Sequence, residues 1–432
     1  MNANSRPAEG QSTRAAALIT SSTWLPAGRH RRPPRSDVTS QARPAAPMDR
    51  TRGRAARHDE EEAPVPTADE LLGVETVGAL ADCWQKADQH GVAAAVRECA
   101  PRLAGLGLRE RSDLLCDALL DAGPTPYATF AAAVRTALAD PAFSGWMIWP
   151  VSEAVAAKAT AAPQGTCFED ALCLLSDLTP RLTAEFAIRR LLNTDLDRAL
   201  AVIKKWTAHP DEHVRRLASE GTRPRLPWAV RVPAIQERPE ATLPILDALY
   251  RDPSEYVRRS VANHLNDISH TRPELAVDVA AAWADEPDTH TPQLIRHALR
   301  TAVKKGDQRA LALLGFELPV DLTVSGPNVA RDIVAVGEQL RFDFTLENRG
   351  DKPQRLAVDY IVHYRKANAT TSPKVFKLTV RTIQAGERAV LSASRSFAPV
   401  STRVLHPGTH FLELQVNGQP HGKVPFEVVP AL

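Results

Sequence analysis

The sequence is short of the features that announce several large classes of protein. It has five cysteines, Cys83, Cys99, Cys116, Cys167 and Cys173, all before residue 174 and none in a CxxC pair. Cys167 and Cys173 lack a His or Cys partner at zinc spacing. The five are expected to be buried, reduced thiols, which suits the cytoplasm. No apolar run approaches the roughly 20 residues that span a bilayer, and the N-terminal stretch has no apolar signal core. Neither a membrane span nor secretion is expected, so a carbohydrate or cell-surface binder is not either. A G-x-x-x-x-G-K-[ST] loop, a GxGxxG after a strand and an HExxH helix are also missing, which argues against nucleotide hydrolysis and zinc proteolysis.

What is present is uneven. The formal net charge is only +2 over 432 residues. Residues 1–57 hold 11 Lys+Arg against 3 Asp+Glu, residues 67–180 hold 7 against 15, and residues 181–310 hold 21 against 18. Any nucleic-acid contact must therefore come from a local basic face rather than from bulk charge. Residues 1–66, with the run Arg29–Arg35 and the acids Asp59 to Glu62, cannot bury an apolar face and are expected to be a disordered, solvated extension. Met48 within it is an alternative translation start.

From 67 to 316 Ala, Leu, Val and Arg recur at helical spacing, interrupted by Pro and Gly. His209-Pro210-Asp211-Glu212-His213-Val214-Arg215-Arg216 matches Asp252-Pro253-Ser254-Glu255-Tyr256-Val257-Arg258-Arg259 at an offset of 43 residues. A looser third copy contains Leu294-Ile295-Arg296-His297-Ala298. Trp206, Leu249 and Trp283 each stand four residues before a proline. Helix, Pro-led turn and second helix at this period predict HEAT-like units, which stack into a solenoid with a concave binding face. Beyond 317 the period changes to two. Leu340, Phe342, Phe344 and Leu346 alternate with polar residues, as do Phe376, Leu378 and Val380, and Leu412, Leu414 and Val416. Asn417-Gly418 reads as a hairpin turn to a strand with Val424, Phe426 and Val428. The expected architecture is an all-α HEAT-like repeat solenoid over 67–316, followed by an all-β immunoglobulin-like sandwich over 317–432. The sandwich lacks the Cys and Trp of antibody domains.

On a helix over 213–221, Val214, Leu217, Ala218 and Gly221 form the buried stripe, with Arg216 and Glu220 on the neighbouring one. Arg259, Asn263 and Asp267 fall on that same stripe in the next repeat, and Arg215 aligns with Arg258. The stripe reads either as a DNA-facing row or as an internal Asp/Arg ladder. In Gly221-Thr222-Arg223-Pro224-Arg225-Leu226-Pro227-Trp228 two prolines forbid a continuing helix. A rigid turn would display Arg223 and Arg225 as phosphate forks, with Trp228 either packed on a base or sugar or plugging the core.

These segments carry a resemblance. The stretches 213–228, 256–268 and 295–300, together with Glu185-Phe186-Ala187-Ile188-Arg189, resemble the AlkC/AlkD-type alkylation-repair DNA glycosylases built from HEAT-like repeats. Trp149-Pro150-Val151-Ser152-Glu153 is similar to a further block of that family. The C-terminal sandwich is similar to the immunoglobulin-like appendage of its AlkC-like subset. The resemblance is strong over 180–316 and thins upstream.

The resemblance implies excision of bases methylated on a ring nitrogen, such as 3-methyladenine, from double-stranded DNA, with no metal or organic cofactor. A cationic base is already a good leaving group. What remains is to stabilise an oxocarbenium-like sugar and to place a water, work for a carboxylate, while arginines hold phosphates and aromatic rings favour the cation. Glu153, Glu185, Glu220 and Asp267 are the candidate carboxylates. The resemblance favours Glu153 and Glu185, with Asp267 third. It also implies that Arg189, Arg215, Arg216, Arg223, Arg225, Trp228, Arg258, Arg259, Asn263, Asn266, Arg296 and Arg300 face DNA. Classical glycosylases flip the base into a pocket, whereas the resemblance to the HEAT-like members implies excision without one, so no such pocket is expected. A monomer is expected. The alternative is a non-catalytic HEAT-repeat scaffold that binds DNA or a protein, since fold alone does not fix function.

Overall fold

The structure is a computed structural model that describes residues 66–161, 165–316, 321–400 and 403–431. The extension expected over 1–66 lies almost wholly outside the described residues. The chain divides into two compact units, one ending at Ala187 and one running from Ile188.

The first unit is helical. Short helices form because each is started and stopped locally. Thr67 and Glu70 make a reciprocal capping box at the first turn of Ala68–Leu72. Glu110 reaches back to the Gly107 amide at 2.7 Å before Leu108–Ala122. The helix Val74–Lys86 packs on His90–Glu98, and Leu108–Ala122 packs on Ile148–Ala161, which in turn meets Cys167–Leu178. Trp84 lies 5.8 Å from Phe130 in this core. The cysteines correct one expectation. None is in a disulfide, but only Cys83, Cys99 and Cys116 are buried; Cys167 is half-buried and Cys173 exposed. Cys173 falls on the solvent side of an amphipathic helix whose buried stripe is Phe168, Leu172 and Leu175.

The second unit begins with the repeats. The helices Glu212–Glu220, Glu255–Ile268 and Thr291–Ala298 pack side by side, each backed by an earlier helix. Asp211 caps the first of them, accepting from the His213 amide at 2.7 Å. Trp206, Leu249 and Trp283, the residues that precede each Pro-led turn, are buried. Gly221 ends the Glu212–Glu220 helix. A Cβ there would sit 2.1 Å from Ile188 Cδ1, so the close approach of the Ile188–Thr194 helix requires glycine.

Helices end with Gln308–Leu313, and strands begin at Leu322. The eight strands are β1 (Leu322–Val329), β2 (Ile333–Ala335), β3 (Gln339–Asn348), β4 (Gln354–Arg365), β5 (Thr371–Ile383), β6 (Arg388–Ser396), β7 (Gly408–Val416) and β8 (Gln419–Val429). They form two sheets, ordered β1-β3-β6 and β2-β8-β7-β4-β5. Leu340, Phe342, Phe344 and Leu346 of β3 and Leu412, Leu414 and Val416 of β7 share one core, as their alternation predicts. Val380, read from sequence as an inward residue of β5, is instead exposed, because a register irregularity at Val358/Asp359 shifts β5 against β4. Asn417 and Gly418 make the β7–β8 turn, both at positive φ. The sandwich packs on the last helices through Leu311, Phe316 and Ala357. Gly306 and Gly418, both at positive φ, approach so closely that a Cβ on Gly418 would lie 2.5 Å from Gly306 Cα.

Candidate functional site

In the first unit, one predicted carboxylate, Glu153, touches a group of aromatic rings, and another, Glu185, adjoins a member of that group in sequence. Trp149 and Glu153 stand four residues apart on the helix Ile148–Ala161, and Trp149 Nε1 donates to Glu153 Oε1 at 3.4 Å. The Trp149 ring lies 5.1 Å from Phe186 and 6.1 Å from Trp146. Glu185, next to Phe186, is buried in the turn before the helix Ile188–Thr194. The Thr183 hydroxyl donates to Glu185 Oε2 at 3.1 Å and accepts from the Glu185 amide at 3.2 Å, so the carboxylate is fixed by its own turn. The guanidinium carbon of Arg109 sits 5.1 Å from the Trp149 centroid and 5.7 Å from that of Phe186. Aromatic faces beside carboxylates form a seat for a cation. Sequence reasoning named the acids but passed over Trp146, Trp149, Phe186 and Arg109. Three of these lie in or beside the quoted blocks. Arg109, on a separate helix, has no local signal.

The second unit sorts the predicted DNA-facing residues by burial. Arg223 is buried, donating from Nε and Nη2 to Asp267 at 2.8 and 3.2 Å and from Nη1 to Glu220 at 2.7 Å. The expectation that the turn displays Arg223 is thus corrected: two acids from adjacent repeats draw it inward. Arg216 is buried too, 3.4 Å from Glu220 and over the Tyr256 ring. Burial pushes the Glu220 carboxyl upward, but the guanidiniums of Arg223 and Arg216 and the Ser260 hydroxyl outweigh it and hold it below the usual range. Arg215 pairs with Asp252 and donates to the carbonyls of His209 and Pro210. Arg258 makes the equivalent reach, to the carbonyls of Asp252 and Pro253. These two arginines close the Pro-led turns of their own repeats, the ladder alternative. Arg189 is also inside, bonded to the carbonyls of Val230, Gly221 and Arg223. Asn266 is buried and accepts from the Thr301 amide at 3.2 Å.

The outward set is smaller. Arg225, Arg259 and Arg296 are exposed, and Trp228, Asn263 and Arg300 are half-buried. Arg259 has an exposed partner in Glu255 at 3.1 Å. Asn263 Oδ1 accepts from Arg300 Nη2 at 3.0 Å and from His297 Nε2 at 2.9 Å. Burial, with Arg300, Arg259 and Arg223 nearby, pushes His297 down to about 4, so its neutral ring donates there.

Helical repeats closed by a β-sandwich define a repeat scaffold with an immunoglobulin-like appendage. A family model described as DNA alkylation repair enzyme matches residues 182–305, and one described as the C-terminal Ig-like domain of the uncharacterised protein YhaZ matches 323–430. The uncharacterised protein YhaZ of Bacillus subtilis (strain 168) is 39% identical over 261 residues, 60% of this chain and 72% of that protein. The solved structure of the Pseudomonas fluorescens alkylpurine DNA glycosylase AlkC, bound to DNA containing an abasic site analogue, is 33% identical. It covers 84% of this chain and all of its own, with a TM-score of 0.76. The chain belongs to the DNA alkylation repair enzyme family, in the AlkC-like branch that carries a C-terminal immunoglobulin-like domain. Among the described residues no helix is long and apolar enough to cross a membrane.

Proposed function

We propose that the protein is a DNA repair glycosylase that hydrolyses the N-glycosidic bond of cationic N-alkylated bases, such as 3-methyladenine, in double-stranded DNA. The observation that carries this reading is the aromatic seat of Trp149 and Phe186, already holding the Arg109 cation, with Glu153 bonded to the indole and Glu185 fixed beside Phe186. Such a seat favours a cationic nucleotide over a neutral one. The alkylated base leaves with the bonding electrons of the glycosidic bond and becomes neutral. Positive charge then develops on the sugar, where Glu153 or Glu185 stabilises it and orients the attacking water. Asp267, the third candidate carboxylate, is engaged by two donors of Arg223, which supports a bracing role for it. Arg225, Arg259 and Arg296 are the exposed arginines left for phosphate contact.

A second reading, a non-catalytic scaffold for DNA or a protein, is favoured by one feature: five of the nine arginines expected to face DNA, Arg189, Arg215, Arg216, Arg223 and Arg258, are engaged inside the repeats. The full chain incubated with methylated duplex DNA separates the two, because only the glycosylase releases free base. Glu153→Gln or Glu185→Gln is expected to slow release by about a hundredfold or more, the scale of losing one electrostatic stabiliser, while duplex affinity survives. Wild-type rates in both single variants would remove these carboxylates from the chemistry.

A further inference from the structure

Within the second unit, the last helices and the outer face of the five-stranded sheet enclose a cavity of about 320 Å³, near the small end of ligand-sized sites. Five cationic side chains line it: Arg296, Arg300 and Lys304 from the helices, Arg355 from β4 and Lys377 from β5. None of the five is in a salt bridge among the described residues. Their donors turn instead to neutral partners, Arg300 to the His297 carbonyl at 2.7 Å and Arg355 to the Leu314 carbonyl at 2.6 Å. The lining holds one acid, Asp359, which is buried where the β4–β5 register shifts. Five cations against one acid leave an excess of positive charge, which an anion would relieve, and a phosphate monoester brings about −1.5 to −2.

Apart from Thr379 the rest of the lining is apolar, with Val303, Leu314, Phe316 and Ala357 among it. The Arg355 guanidinium lies over the Phe316 ring at 4.6 Å. Arg355 is exposed, so its outer face is open to a second flat ring. Asp359 is a buried acceptor for an amino or ring N–H. Burial pushes it up to about 6, while Lys377 and Lys304 pull it back.

We propose that this cavity binds a nucleoside monophosphate, with its phosphate among the Arg and Lys side chains, its base stacked on Arg355, and an amino group of the base donating to Asp359. The same chemistry is offered by a free nucleotide and by a nucleotide of a DNA strand.

The test is calorimetric titration of the full chain with deoxyadenosine monophosphate, deoxyadenosine and inorganic phosphate. Saturable binding of the monophosphate is expected, with phosphate at least about tenfold weaker and no saturation by deoxyadenosine. Lys377→Glu reverses one exposed charge and is expected to weaken nucleotide binding by about tenfold or more, with the melting temperature unchanged. Arg355→Lys, which keeps the charge and loses the stack, is expected to weaken the nucleotide but not phosphate. Displacement of bound nucleotide by duplex DNA would identify DNA as the natural source, and its absence a free nucleotide. No saturable nucleotide binding, phosphate binding as tight as the nucleotide, or an unaltered Lys377→Glu variant would each overturn the proposal. Failure to release methylated bases would sink the glycosylase reading and leave this result standing.

Discussion

Arg223 and Arg225 stand two positions apart in one proline-bounded turn and meet opposite environments. Arg223 lies between Glu220 and Asp267, and Arg225 is exposed. The sequence places both in a rigid turn but cannot show that Asp267, in the next repeat, points at the first of them. Removing Arg223 would take two buried bonds from Asp267 and leave Glu220 to Arg216 and Ser260. Breaking a buried ion pair costs about 3–5 kcal/mol. Arg223→Ala is therefore expected to lower the denaturation midpoint strongly. Arg225→Ala should leave the midpoint unchanged and reduce the salt slope of duplex binding by about one. A wild-type midpoint for Arg223→Ala would return that residue to the DNA-facing set.

At the scale of elements, the repeat period and the strand alternation were both legible, because each reflects a local geometric rule: 3.6 residues per turn, or two per pleat. The two-residue turn at Asn417-Gly418 was legible for the same reason. What stayed hidden depends on contacts across elements. Arg109 over Trp149, Arg189 under Gly221 and the register shift between β4 and β5 that turns Val380 outward leave no periodic trace.

His264 is such a case, buried between repeats. Its Nδ1 donates to the Ser219 carbonyl at 2.9 Å, and its Nε2 lies 3.1 Å from the Thr242 hydroxyl. Burial pushes it down to about 4, against opposing pulls from the Ser219 bond, Asp267 and Glu220 and with Arg223 adding to the fall. The unfolded chain binds this proton below about 6.5 while the folded chain does not until about 4. Stability is therefore lost as pH drops through that window, by about 3 kcal/mol at its foot. Asp359 has the opposite sign: its raised value makes folding more favourable as pH falls below about 6. Melting temperatures at pH 7.5 and 5 should fall less steeply for His264→Gln than for the wild type. Parallel curves for the two proteins would mean that His264 does not stay neutral when folded.

On the scale of the whole molecule, the sandwich is more than a tethered appendage to the last helices. Leu311 and Phe316 are buried against Ala357, Arg355 donates to the Leu314 carbonyl at 2.6 Å, and Gly306 meets Gly418 backbone to backbone. A chain ending at Phe316 would uncover Leu311 and Phe316, each worth about 1.5–3 kcal/mol when fully buried. Helical repeats are stabilised mainly by their neighbours, and a missing terminal cap destabilises the end first. The truncated chain is thus expected to stay helical by circular dichroism but to melt at a lower temperature. Residues 317–432 hold 14 bases against 11 acids, and the truncation also removes Arg355 and Lys377 from the cation cluster that they share with Arg296 and Arg300. Duplex affinity and the rate of base release should both fall. If the truncated and full-length proteins bind DNA and release base equally well, the sandwich contributes nothing to the DNA reaction, and a module for a protein partner becomes the better reading of it.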